Sequence, residues 1–109
     1  MTKETEKAFK ILYCEYKRRR KKGLSKQDSV SFEDASICNI DAFSNWIPAD
    51  FSYAMQELER SGFISMNILG DIELLESGIE FMEAKPKDFF NGLAEFFDLA
   101  SIIGIVTGV

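Results

Sequence analysis

Apolar positions first recur in a helical rhythm. Phe9, Leu12, Tyr13 and Tyr16 stand at i, i+3, i+4 and i+7, one face of a helix, and predict a helix over 3–22. Thr2 is placed to cap its start and Gly23 to stop it in a left-handed turn. Ser25, with Asp28 three residues on, marks a second start. A short helix over about 26–33 would bury Val30 and Phe32. Residues 34–46 lose the rhythm and read as a connection with one helical turn at Asp41–Phe43. Pro48 then opens a third helix, 48–61, where its missing N–H costs nothing. Phe51, Ala54, Met55 and Leu58 form its inner face, joined by Ile47; Ser52, Tyr53, Gln56, Glu57, Glu59 and Arg60 are left toward solvent.

After Gly62 the period changes from helix to strand. Phe63-Ile64-Ser65-Met66-Asn67-Ile68 alternates, Gly70-Asp71 turns the chain, and Ile72-Glu73-Leu74 alternates again, which predicts a short hairpin. A helix follows to Lys85 and ends at Pro86. Beyond Pro86, Phe89, Phe90, Leu93, Phe96, Phe97, Ala100, Ile102 and Ile103 make a broad apolar stripe read as one helix over 87–106. Its width predicts a homo-oligomer, a dimer first, with Phe89, Phe90, Leu93, Phe96, Phe97, Ala100 and Ile103 at the interface; packing on its own domain is the alternative. A membrane span is disfavoured, because Glu95 and Asp98 would each cost about 2.5–3.5 kcal/mol at mid-membrane.

These elements carry a resemblance. The run Tyr53-Ala54-Met55-Gln56-Glu57-Leu58-Glu59-Arg60-Ser61-Gly62-Phe63-Ile64, and Ile72-Glu73-Leu74-Leu75-Glu76-Ser77-Gly78-Ile79-Glu80-Phe81-Met82 after it, resemble the small winged helix-turn-helix proteins of bacterial and prophage genomes. The resemblance covers about half the chain, from Leu24 to Met82. It departs at Leu75, where the pattern has an N-capping Thr. The implied fold class is mainly α with a small β-hairpin: a winged-helix domain over 1–85, then a C-terminal apolar helix over 86–109. The implied function is a DNA-associated transcriptional regulator acting as a dimer. The alternative is a protein-interaction module on the same scaffold.

Charge bears on that choice. The net charge is −5, but it is segregated. Residues 1–23 hold nine Lys or Arg against three Glu, and residues 24–109 hold fifteen acids against four basic side chains. Lys17, Arg18, Arg19, Arg20, Lys21 and Lys22 form one basic run at the end of the first helix. It reads either as a solvated face that complements the helix dipole or as a site for phosphate or an acidic partner. On the helix before the wing, Ser52, Tyr53, Gln56 and Arg60 are the DNA-contact candidates. Asp50, Glu57 and Glu59 on the same helix oppose a polyanion, and the wing offers no cation.

Catalysis is not expected. The chain has no histidine, so it lacks a Ser-His or Cys-His nucleophile and an imidazole base. No glycine-rich phosphate loop appears, and no cofactor is implied. Cys14 and Cys38 have no metal or redox spacing and read as small apolar residues in a reducing compartment. No secretory signal stands at Met1–Lys10, which places the expected location in the cytoplasm.

Overall fold

The computed structural model describes residues 1–33, 37 and 39–104; Cys38 and the last five residues of the expected C-terminal helix lie outside them. The chain is mainly helical with a small three-stranded antiparallel sheet. Helix α1 (Lys3–Lys21) is its axis. The Thr2 hydroxyl accepts the Thr5 amide at 3.1 Å, and Glu4 and Glu6 complement the positive end of the dipole. Gly23, with φ +95°, ends the helix as expected. The expected stripe of Phe9, Leu12, Tyr13 and Tyr16 is buried, and Ala8, Ile11 and Cys14 are buried with it. Burial extends this far around because α1 is packed from several sides, by the second and third helices and by the C-terminal segment. The rings mark two of those sides: Phe9 stacks on Phe63 at 5.0 Å, and Tyr13 on Phe90 at 5.4 Å.

Helix α2 is shorter than the spacing predicts. It spans Lys26–Val30, with Ser25 Oγ accepting the Asp28 amide at 3.1 Å. Ser31 turns extended, and Ser31–Phe32 becomes strand β1, paired antiparallel with Glu73 and Ile72. Phe32 is buried as expected, but from a strand. A turn of 3-10 helix at Asp41–Phe43 follows, as the sequence predicts.

Helix α3 (Pro48–Arg60) buries Ala54, Met55 and Leu58. Ile47 does not join that face; it is 62% exposed. Gly62, at φ +80°, turns the chain into the hairpin of β2 (Ile64–Met66) and β3 (Ile72–Leu74). Strand order is β1-β3-β2, so β1 and β2 are edges. Charged side chains cover part of each: Glu59 Oε2 accepts the Met66 amide at 3.1 Å, and Arg19 Nη1 donates to the Ser31 carbonyl at 2.8 Å. An edge whose backbone groups are engaged this way is a poor template for another strand.

Helix α4 (Glu76–Glu83) starts at Leu75 without a side-chain cap, as the sequence predicts. It sits so close to the hairpin that a Cβ on Gly78 would lie 2.6 Å from the Phe63 carbonyl oxygen. The C-terminal segment departs most from expectation. It is not one helix but a 3-10 helix (Lys87–Leu93) and a short α5 (Leu99–Ile102). Pro86 holds an extended entry, and Asp98 restarts the helix by accepting the Ser101 amide at 3.3 Å. The break folds the stripe back over α1. Phe90, Leu93, Phe97 and Leu99 join the same core as Phe9 and Leu12.

Candidate interaction surfaces

The six cations at the end of α1 divide into two groups. Glu15, one turn earlier, is 3% exposed and takes up Arg18. Arg18 Nε donates to Glu15 Oε1 at 2.8 Å and to Oε2 at 2.9 Å, and its Nη2 also reaches Oε1. That hydrogen bonding raises the guanidinium's pKa further and fixes it as a cation. Arg19 lies 4.5 Å from the Phe32 ring centroid and bonds the Ser31 carbonyl, with Glu15 Oε1 at 3.7 Å. Arg20 donates to the Leu24 carbonyl at 3.1 Å. These three arginines hold the end of α1 to its own carboxylate, to β1 and to the following turn. The side chains of Lys17, Lys21 and Lys22 make no hydrogen bond or ion pair among the described residues; Lys21 and Lys22 are exposed and Lys17 is half-buried. The cationic run expected over 17–22 is thus divided into three arginines engaged within the chain and three lysine side chains without a partner among the described residues. Glu15 was findable from sequence, since Glu and Arg at i, i+3 and i, i+4 meet on a helix.

Helix α3 presents Ser52, Tyr53, Gln56 and Arg60 to solvent, as expected, with Gln56 Nε2 at 3.4 Å from Ser52 Oγ. Two of its carboxylates, Glu57 and Glu59, are turned to the flanks. Glu57 Oε1 accepts the Thr2 amide at 3.2 Å, and Glu59 accepts the Met66 amide. The Thr5 hydroxyl, then the Thr2 amide, hold the Glu57 carboxyl below its ordinary range, so it stays ionised. The start of α3 and the first turns of α1 enclose a groove of about 240 Å³, lined by Glu4, Lys7, Asn45, Trp46, Ile47 and Asp50. Trp46 packs edge-on against Phe43 at 5.4 Å and is half-buried. Tyr53 is 52% exposed. Sequence periodicity missed the groove because it assigned Ile47 to the core.

Of the residues expected at an oligomer interface, Phe90 and Leu93 are 2% exposed and Phe97 7%, all within the chain's own core. Phe89 is half-buried under Lys10, whose Nζ stands 3.9 Å from its centroid. Phe96 and Ala100 remain exposed, with Ile103 partly so. Among the described residues no three Cys, Asp or Glu come together to hold a metal ion, and no helix is long and apolar enough to cross a membrane. No protein-family model, curated protein or solved structure matches the chain.

Proposed function

We propose that this chain is a protein-binding module on a winged-helix scaffold, and that it docks its partner through α3 and the groove at the start of that helix. The winged-helix reading is supported by the succession of α3, glycine stop and hairpin, with β1 completing the sheet on the open side of β3. The observation that carries the protein-binding reading is the chemistry of the α3 surface. Ile47 and Tyr53 lie exposed, and α3 carries three acids, Asp50, Glu57 and Glu59, against Arg60 as its one cation. Duplex DNA carries one negative charge per about 1.7 Å of axis, so this surface repels it. Exposed aromatic and aliphatic anchors with an acidic rim instead suit a protein surface with apolar pockets and basic edges. A dimer through Phe96, Ala100 and Ile103 is compatible with this scaffold but contributes nothing to that surface.

Lys17, Lys21 and Lys22 favour a second reading, a sequence-independent grip on nucleic acid by the end of α1. Fluorescence anisotropy with a labelled mixed-sequence duplex separates the two. Protein docking expects no saturable binding at physiological salt and no change on replacing the three lysines by Ser. Saturable binding that falls steeply with salt, and is lost in the lysine variant, would overturn it.

A further inference from the structure

The hairpin turn displays two large aliphatic side chains to solvent. Ile68 is 100% exposed and Leu69 75%. Turn positions ordinarily carry Gly, Asn, Asp or Ser. The display is also rigid. Asn67 Oδ1 accepts the Leu69 amide at 2.9 Å and the Asp71 amide at 3.0 Å, and Asn67 Nδ2 donates to Asp71 Oδ2 at 3.0 Å. The Gly70 amide returns to the Asn67 carbonyl at 3.1 Å, with Gly70 at φ +87°. A turn held by this many bonds presents Ile68 and Leu69 without the ordering cost that a floppy loop would incur. Its surroundings are acidic: Asp71 and Glu73 flank it, and no Lys or Arg occurs between Ser61 and Ala84. Anionic lipid and nucleic acid are therefore poor occupants for this tip.

The chain itself carries a matching receptor. Where α1 meets the C-terminal 3-10 helix, Lys3, Glu6, Lys7 and Lys10 border a depression of about 390 Å³ floored by Gly92 and Leu93. Lys10 is tied to Glu6 at 3.5 Å, whereas Lys3 and Lys7 have no ion-pair partner among the described residues. An acidic-collared tip and a lysine-rimmed depression are complementary in charge. We propose that the hairpin tip of one copy docks into the Lys3/Lys7/Lys10 depression of a second copy. The contact joins two different patches, so it is head-to-tail and leaves one free tip and one free depression on every pair. It is small, which sets dissociation constants of roughly tens to hundreds of micromolar. None of its residues belongs to the α3 surface apart from the shared Lys7, so either proposal can fail alone.

Sedimentation velocity over a concentration series tests it. Two variants disable one side each. Ile68→Ser with Leu69→Ser removes the tip. Gly92→Trp fills the depression from a position where an added Cβ meets nothing within 4 Å. Wild type should self-associate in a concentration-dependent and salt-weakened manner, and each variant alone should associate at least about tenfold more weakly, a loss of roughly 1.4 kcal/mol. An equimolar mixture of the two variants should form a pair that grows no further, since it retains one working tip and one working depression. Circular dichroism melts confirm that both variants remain folded. Wild type that stays monomeric at millimolar concentration overturns the proposal, as does a mixture that forms no pair.

Discussion

Gly78→Ala is the sharpest test of how α4 is seated. The new Cβ would stand 2.6 Å from the Phe63 carbonyl oxygen, 3.2 Å from Leu74 Cδ1 and 3.3 Å from Phe63 Cβ. The first of these is backbone and cannot rotate away. That same oxygen accepts the Leu75 amide at 3.0 Å, the bond that closes the base of the hairpin. Relief of the clash therefore means lifting α4 off the hairpin or stretching that bond. Overpacking costs about 1–3 kcal/mol, and weakening the hydrogen bond up to about 1 kcal/mol more. Alanine returns about 1 kcal/mol in helix propensity. The net expectation is a loss of up to about 3 kcal/mol, centred near about 1.5 kcal/mol, or a Tm lower by roughly 10 °C and at most about 20 °C at this chain length. Gly92→Ala is the control, since its Cβ enters open space and the substitution should be neutral to slightly stabilising. Paired thermal melts followed by circular dichroism give the answer. A Gly78→Ala protein as stable as wild type would refute the close seating of α4 on the hairpin.

The division of the basic run predicts that Glu15→Gln lowers stability by about 1–3 kcal/mol in urea melts, because a buried acceptor for Arg18 and Arg19 is weakened, whereas Lys21→Ser and Lys22→Ser each stay within about 0.5 kcal/mol; equal effects would contradict it. Burial pushes the Cys14 thiol up to about 12, only partly opposed by Lys10, so in a Cys38→Ser protein native Cys14 should resist iodoacetamide at pH 8 and react on unfolding. Because the folded thiol holds its proton longer than the unfolded one, whose ordinary value is 9.0, its contribution to stability should decline as pH rises above about 9, and not below it. Glu57 has the opposite sign: its folded pKa lies below the ordinary 4.5, so its contribution is present above that value and fades as the pH falls through it, and Glu57→Gln should flatten the acid limb of the stability profile.

The elements that were legible in the sequence share one property: their signal is local and repeated. The stripe Phe9 to Tyr16, the Ser25 cap, Pro48 and the alternation around Gly70 each report a period or a punctuation mark, and each stands where expected. Strand β1 was not legible because two residues cannot display a period; its identity comes from β3, forty residues away. The C-terminal segment misled for a different reason. Its apolar spacing suits a helix, but Pro86 and Asp98 divide it, and α1 offers enough uncovered surface to draw Phe90, Leu93 and Phe97 inward. The candidate surfaces were half legible. The acidity of α3 and the basic run are plain in the residues. Glu15 gathering the arginines, Glu57 and Glu59 turning aside to backbone amides, and Ile47 escaping the core depend on tertiary placement.

A photo-crosslinking residue placed at Tyr53, and separately at Lys22, tests the central claim in one measurement. Irradiated in cells and then treated with nuclease, the Tyr53 derivative should give discrete protein adducts, lost on Ile47→Asp, while the Lys22 derivative gives none. Nuclease-sensitive adducts from either position, with no protein adduct at Tyr53, would contradict protein docking by α3.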